Sequence, residues 1–293
     1  MNILVTGAYG QLGSEIKVLA ENYPQFIFLF TDVDSLDITE ENAVQRYFTE
    51  NKVEAVINCA AYTAVDKAET DQELAHKINA IAPGILAAKA KLTGAKMIHI
   101  STDYVFAGSA SQPYSETDEV NPQGVYGRTK LEGELKVLEK NPKAMIIRTS
   151  WLYSTFGKNF VKTMLRVGKE RGELKVVFDQ VGSPTYAADL ASAILLILSK
   201  TKNNSEDFVP GIYHFSDEGV ASWYDFALAI FELSDLKCKV NPVLSSEYPT
   251  PTKRPHYSVL NKSKIKNKFG IEIPYWRDSL EICINRLEKN KNG

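Results

Sequence analysis

Cysteine is scarce in this chain. Cys59, Cys238 and Cys283 are the three in 293 residues. They share no metal-ligand spacing and cannot build a disulfide framework. A reducing compartment fits, and Cys59, at the end of an apolar run, reads as a small buried thiol. Histidine is scarce too, and no pair among His76, His99, His214 and His256 has metal-ligand spacing. His99 and His214 fall in strand-like segments and read as core residues, while His76 and His256 stand isolated. There is no excess of either charge: 34 basic against 36 acidic residues leave a net charge of −2. That balance gives no electrostatic case for a nucleic-acid partner. No apolar run approaches the roughly 20 residues that cross a bilayer. The N-terminus shows no basic stretch leading into an apolar one, so no signal peptide is expected and a cytoplasmic location is. Internal repeats and low-complexity tracts are also missing. What remains is an ordinary globular composition, 44% hydrophobic and 24% charged. The length suits one large domain or two modest ones.

Short apolar runs alternate with helical periodicity through the first half. Ile3–Val5, Phe26–Phe30, Ala55–Ile57, Met97–Ile100 and Met145–Ile147 read as buried parallel strands. Gln11–Asn22, Glu40–Asn51, Asp71–Thr93 and Tyr126–Asn141 read as the helices between them. This alternation predicts an α/β fold, a Rossmann-type doubly wound parallel sheet with a smaller C-terminal substrate-binding lobe. Residues 1–150 are expected to form the sheet-bearing part, the one that would, on the strength of its glycine motif, take an NAD(P)-type dinucleotide, with part of 187–216 returning to it, and 151–293 mainly the substrate lobe. Further helices are expected over Asn159–Arg171, Ala187–Lys200, Trp223–Leu233 and Tyr275–Glu288, and a strand over Ile212–Phe215. Pro242–Pro255 carries four prolines and is expected to be irregular. Lys289–Gly293 is polar and expected to fray.

Gly7, Gly10 and Gly13 follow the first strand and open the first helix. Gly7 permits a tight turn, Gly10 lets backbone approach a pyrophosphate, and Gly13 allows close helix packing. The exposed N–H groups and helix dipole favour phosphates. A glycine triplet alone is weak, but its place after a buried strand strengthens it. Asp32 ends the second strand, where a carboxylate meets an adenine-ribose hydroxyl. No Lys or Arg between Thr31 and Glu41 greets a 2′-phosphate. Asp34 and Asp37 nearby leave an ordinary loop aspartate as an equal reading. Small residues Ala60 and Ala61 after the third strand would let a dinucleotide lie across the strand ends.

Ser101-Thr102-Asp103 follows the fourth strand, and Tyr126-Gly-Arg-Thr-Lys130 opens the next helix. Tyr126 and Lys130, at i and i+4, share one helix face. A phenol has a pKa of about 10, and a nearby ammonium lowers it. Thr102 can hold a substrate carbonyl beside Tyr126. Each motif alone has a bland reading, a cap or a solvated helix face. Their concordance favours an oxidoreductase.

These residues resemble those of the extended short-chain dehydrogenase/reductases, and among them the dTDP-4-dehydrorhamnose reductase family. Further segments carrying the resemblance are Leu36–Thr39, Ala60–Glu69, Ser101–Phe106, Arg148–Tyr153, Gly182–Thr185, Tyr248–Pro251 and Arg254-Pro255. The resemblance implies Thr102, Tyr126 and Lys130 as the catalytic set. It implies cofactor contacts from Gly7, Gly10, Gln11, Leu12, Gly13, Asp32, Asp37 and Ile38. Ala60, Ala61, Tyr62 and Thr63 would add to these, with Tyr126 and Lys130 reaching the nicotinamide ribose. Val65, Asp66, Thr102, Asp103, Tyr126, Trp151 and Arg254 would face the dTDP-sugar, Trp151 as an apolar platform and Arg254 toward the diphosphate. Trp151 also has a plain reading as a core residue. The implied reaction is reduction of the 4-keto group of dTDP-4-dehydro-L-rhamnose by NADPH, with NADH also accepted. A homodimer is allowed. Some members dimerise around a magnesium ion held by glutamates. Glu15 matches one position, but Ala188 stands at the second and Asp189 one place off, so no metal is expected and Glu15 reads as a surface residue. Two other readings stay open: a non-catalytic regulatory subunit of a methionine adenosyltransferase, and a sibling sugar-nucleotide epimerase or dehydratase.

Overall fold

The computed structural model of the protein describes residues 1–201 and 207–292. The first half runs β1 (Asn2–Thr6), α1 (Gln11–Leu19), β2 (Ile27–Thr31), α2 (Glu41–Glu50), β3 (Ala55–Asn58), α3 (Val65–Ala68), α4 (Gln72–His76), α5 (Ala82–Thr93), β4 (Lys96–Thr102), α6 (Val125–Lys140) and β5 (Met145–Thr149). Next come β6 (Leu152–Tyr153), α7 (Phe160–Arg171), β7 (Glu173–Val177), β8 (Val181–Gly182), β9 (Thr185–Tyr186), α8 (Ala187–Lys200) and β10 (Gly211–His214). The chain ends with β11 (Ala221–Ser222), α9 (Trp223–Leu233), β12 (Lys239–Val243), α10 (Ser263–Phe269) and α11 (Trp276–Asn292).

Six strands form one parallel sheet in the order β2-β1-β3-β4-β5-β10. Successive side chains of a strand face opposite sides, so a two-sided sheet needs apolar residues throughout. Ile3, Val5, Ile57, Ile98 and Ile147 pack on one face with α1 and α8. Leu4, Val56, Met97 and Ile146 pack on the other with α2, α5 and α6. The strand order reverses between β1 and β3, which opens a crevice at their carboxyl ends. A separate core joins Tyr153, Val161, Tyr186, Phe226, Ile230, Trp276 and Leu280 beside this sheet.

Two expected helices hold with local departures, and one expectation is corrected. The helical run expected over Asp71–Thr93 is present, with a π-helical turn at Lys77–Ile81 between α4 and α5. A single π turn inside a helix widens one loop of backbone and often marks a site. The helical run expected over Gln11–Asn22 is also present, its last turn tightening to 3₁₀ at Ala20–Asn22 before Pro24. Pro242 lies within β12, paired with β7. A two-stranded sheet consists of edges, where a proline's missing N–H is tolerated. At the C-terminus α11 continues to Asn292; Gly293, part of the segment expected to fray, lies outside the described residues.

Glu15 is also not a surface residue. It is fully buried, accepting from Ser154 Oγ at 2.6 Å and pairing with Arg286 Nη1 at 3.0 Å. Arg286 also reaches the Tyr186 hydroxyl. Desolvating a carboxylate without a partner is costly, so Arg286 of α11 in effect fixes α1 to the far end of the chain.

Candidate active site

β1 delivers the glycine loop to the crevice. Gly7 takes φ +64°, and a Cβ there would lie 2.7 Å from the Ala60 backbone. The turn and the loop after β3 therefore meet in backbone contact. A Cβ on Gly13 would press within 2.4 Å of Gly7 O, so α1 also starts hard against the loop. Gly10 is the N-cap of α1, and no side chain caps that end. Its free N–H groups open onto a cleft of about 1090 Å³. At one end of this cleft Asp32 accepts from Tyr9 N at 3.1 Å and Val33 N at 2.9 Å. Ile38 and Asp37 line the same end, and Asp37 is held below the usual carboxylate range mainly by the Thr39 hydroxyl and amide.

The middle of the cleft gathers Thr102, Asp103, Tyr126 and Lys130. β4 ends at Thr102, and a 3₁₀ turn carries Asp103. Thr102 Oγ1 donates to Asp103 Oδ1 at 2.9 Å and accepts from Tyr104 N at 3.2 Å. Tyr126 sits in the first turn of α6, edge-on to Tyr104 with ring centroids 5.4 Å apart. Glu69 Oε1 accepts from Val125 N at 2.9 Å, satisfying a free donor at that helix start. Farther along α6, Glu134 makes a buried two-pronged pair with Arg148 of β5, at 2.9 and 2.7 Å. That pair fixes the helix carrying Tyr126 to the sheet carrying Thr102.

Burial pushes the Tyr126 phenol up, the Thr102 hydroxyl eases it, and Asp103 and Tyr104 push it further up. Lys130 is fully buried, and its Nζ donates to Ile100 O at 2.6 Å. Its ammonium is pushed down to about 8 by burial, against Glu134 and Cys59. The expected lowering of the phenol by Lys130 is not seen: the ammonium is turned to the Ile100 carbonyl and is not among the groups acting on Tyr126, which burial raises. Asp103 is pushed up to about 7 by burial.

The far end is aromatic. Trp151 adopts φ +48°, an outlier for a bulky residue. Its indole stacks on Trp223 at 3.5 Å, 6° from parallel, and both line the cleft. Arg254 closes this end. Its Nη2 pairs with Asp66 Oδ2 at 2.5 Å and its Nη1 donates to Tyr104 OH at 3.1 Å.

Most of the residues singled out from sequence border this one cleft. Gly7, Gly10, Gln11, Leu12, Asp32, Asp37 and Ile38 do so, as do Ala60, Ala61, Thr63 and Val65. Thr102, Asp103, Tyr126, Lys130, Trp151 and Arg254 complete that set. Three do not line it. Gly13 packs behind the loop, Tyr62 donates its hydroxyl to Asp71 at 3.0 Å, and Asp66 is engaged with Arg254. Sequence reasoning missed Asn79 and Trp223. Asn79, fully buried in the π turn, accepts from Tyr62 N at 2.8 Å and donates to Tyr62 O at 3.1 Å and Thr129 Oγ1 at 3.2 Å. An asparagine inside a helical run was the available signal. Trp223 gave none beyond its helix. His76 is not isolated, since it meets Glu132 at 2.9 Å on the surface.

A doubly wound sheet, a glycine loop at its switch point and a threonine–tyrosine–lysine set across the crevice define a nicotinamide-dependent oxidoreductase of the short-chain dehydrogenase/reductase class. Within that class the chain belongs to the RmlD substrate binding domain family, whose model matches residues 1–289. The chain is similar to the dTDP-4-dehydrorhamnose reductase of Aggregatibacter actinomycetemcomitans, 42% identical over 95% of this chain and 97% of that one. It is similar in structure to the dTDP-4-dehydrorhamnose reductase of Clostridium acetobutylicum, at TM-score 0.93 and 49% identity over 98% and 100% of the two chains. The Bacillus anthracis dTDP-4-dehydrorhamnose reductase, solved in complex with NADP, matches at TM-score 0.91 and 40% identity over 97% and 99%.

Proposed function

We propose that the protein reduces the 4-keto group of dTDP-4-dehydro-L-rhamnose to give dTDP-L-rhamnose, with NADPH as reductant and NADH also accepted. The observation that carries this reading is the meeting of Thr102, Tyr126 and Lys130 in one cleft that runs from the glycine loop to the Trp151–Trp223 stack. The reductase relatives, alike over nearly the whole chain, favour it over an epimerase, a dehydratase or a regulatory subunit.

The residues present fit a dinucleotide. The uncapped start of α1 offers N–H groups to a pyrophosphate, and the cleft is long enough to take adenosine at Asp32 and Ile38. NADPH, when bound, supplies the hydride. Tyr126 gives its proton to O4 as charge develops there, and Thr102 holds that oxygen. Lys130 meets the ribose hydroxyls and, drawn from Ile100 O toward the phenol, favours its ionised form. Val65, Trp151 and its partner Trp223 keep water from the deoxysugar. Arg254 exchanges Asp66 for the diphosphate. Residues 151–293 mainly supply this sugar side, and residues 1–150 the cofactor side, with α8 and β10 returning to the sheet.

Tyr126→Phe tests the assignment. It should keep cofactor affinity and lose about 10²–10⁴-fold in kcat. Near-parental turnover of the sugar nucleotide, followed at the nicotinamide absorbance, would remove Tyr126 from the role of acid.

A further inference from the structure

We propose that Asp103 works as a neutral carboxylic acid, and that its proton decides whether Thr102 can hold the substrate's carbonyl oxygen. The inference rests on the reductase reading above. A threonine hydroxyl has one hydrogen and two lone pairs. One lone pair of Thr102 Oγ1 is taken by Tyr104 N at 3.2 Å. Asp103 Oδ1, at 2.9 Å, takes a second position. An ionised carboxylate only accepts, so it claims the single hydrogen. Thr102 then shows the cleft a lone pair. A ketone oxygen is also only an acceptor, and the two repel. A protonated Asp103 reverses the bond. Its O–H fills the second lone pair, and the Thr102 hydrogen is released toward O4.

The surroundings favour the neutral form. Asp103 is 3% exposed, and its Oδ2 has no hydrogen-bond partner at ordinary distance among the described residues, the Ser258 hydroxyl acting on the carboxyl only weakly from farther off. An orphaned oxygen is far less costly on a neutral acid than on a carboxylate. The groups acting on Asp103 are the Thr102 and Ser258 hydroxyls and the backbone amides of Asp103 and Tyr104. The phenols of Tyr104 and Tyr126 lie near it, the second also within reach of the Thr102 hydroxyl. No cation is among them. Lys130 is turned to Ile100 O, and Arg254 to Asp66 and Tyr104 OH. Burial accordingly lifts the carboxyl to about 7. The sign follows: below that pH Asp103 is neutral and Thr102 is free to donate, and above it the hydrogen is withdrawn.

The test is the pH profile of kcat/KM with NADPH and dTDP-4-dehydro-L-rhamnose, for the parent, Asp103→Asn and Asp103→Ala. The parent should lose about tenfold per pH unit above ~7, the behaviour of one required proton. In D103N the side-chain amide donates to Thr102 at every pH. The alkaline limb should therefore move up, to where Lys130 titrates at about 8. D103A also removes the claimant on the hydrogen, so its limb should move in the same direction at a lower rate. A parent with no fall between pH 6.5 and 8 overturns the proposal without any variant. So does either variant if it keeps the parental limb, since a purely structural role lowers the rate equally at all pH. Failure of the reductase reading looks different: the parent turns over no sugar nucleotide at any pH.

Discussion

Asn79→Ala removes a brace between the Ala60–Thr63 loop and α6. The side chain is fully buried and makes three hydrogen bonds, two to the Tyr62 backbone and one to Thr129 Oγ1. Each is worth about 1 kcal/mol net, and the partners left behind cannot all reach water, so about 3 kcal/mol is at stake. In a chain of this size each kcal/mol moves the midpoint by roughly 2–4 °C, which predicts a fall in Tm of about 6–12 °C. The functional loss should be uneven. α6 keeps its Arg148–Glu134 pair, whereas the loop Ala60–Thr63 loses its main tie. Cofactor Kd should therefore rise about tenfold while kcat at saturating cofactor changes little. Asn79→Asp is the control: it still accepts from Tyr62 N but sets a carboxylate against Tyr62 O, and should be at least as harmful as alanine. Thermal melts and cofactor titration by fluorescence quenching decide the matter. An unchanged Tm and Kd in N79A would show that Asn79 only fills space. A collapse of kcat with Kd unmoved would show that it serves the helix and not the loop.

Asp32→Ala should raise KM for NADH more than for NADPH, because the carboxylate suits a free 2′-hydroxyl and repels a 2′-phosphate; an unchanged ratio of the two constants would leave Asp32 as the tie to Tyr9 N and nothing more. Trp151→Ala should raise KM for the sugar nucleotide severalfold and leave the cofactor constants in place. It should also lower Tm, since the 3.5 Å stack on Trp223 is lost. A fall in Tm with no change in either KM would assign Trp151 to packing alone.

The parallel sheet was legible because strands covered on both faces are continuously apolar, as in Ile3–Val5 and Met145–Ile147. The glycine loop and the Tyr126–Lys130 pair were legible because their spacing is local. Asn79 was not, because its partners Tyr62 and Thr129 lie 17 and 50 residues away, and its place inside a helical run hints at a bond without naming the partner. The π turn was hidden for the same reason: Lys77–Ile81 has an ordinary helical composition, and the turn forms where Gly133 of α6 packs against Asn79 O. Trp151 read equally as core and as platform, and the structure explains why: it stacks on Trp223 and borders the cleft at once. Glu15 misled because a charge on a first helix normally faces water. Its partner lies 271 residues away.

That separation has a consequence for how the chain is made. Glu15 leaves the ribosome long before Arg286 exists. At about 5–20 residues per second the interval is on the order of 15 to 55 seconds. Throughout it α1 can nucleate against β1, but its carboxylate has no counter-charge to accompany it into the interior. The growing chain therefore waits with that corner of its core open to water. Closure comes only as α11 arrives, so that a helix made late completes one made early.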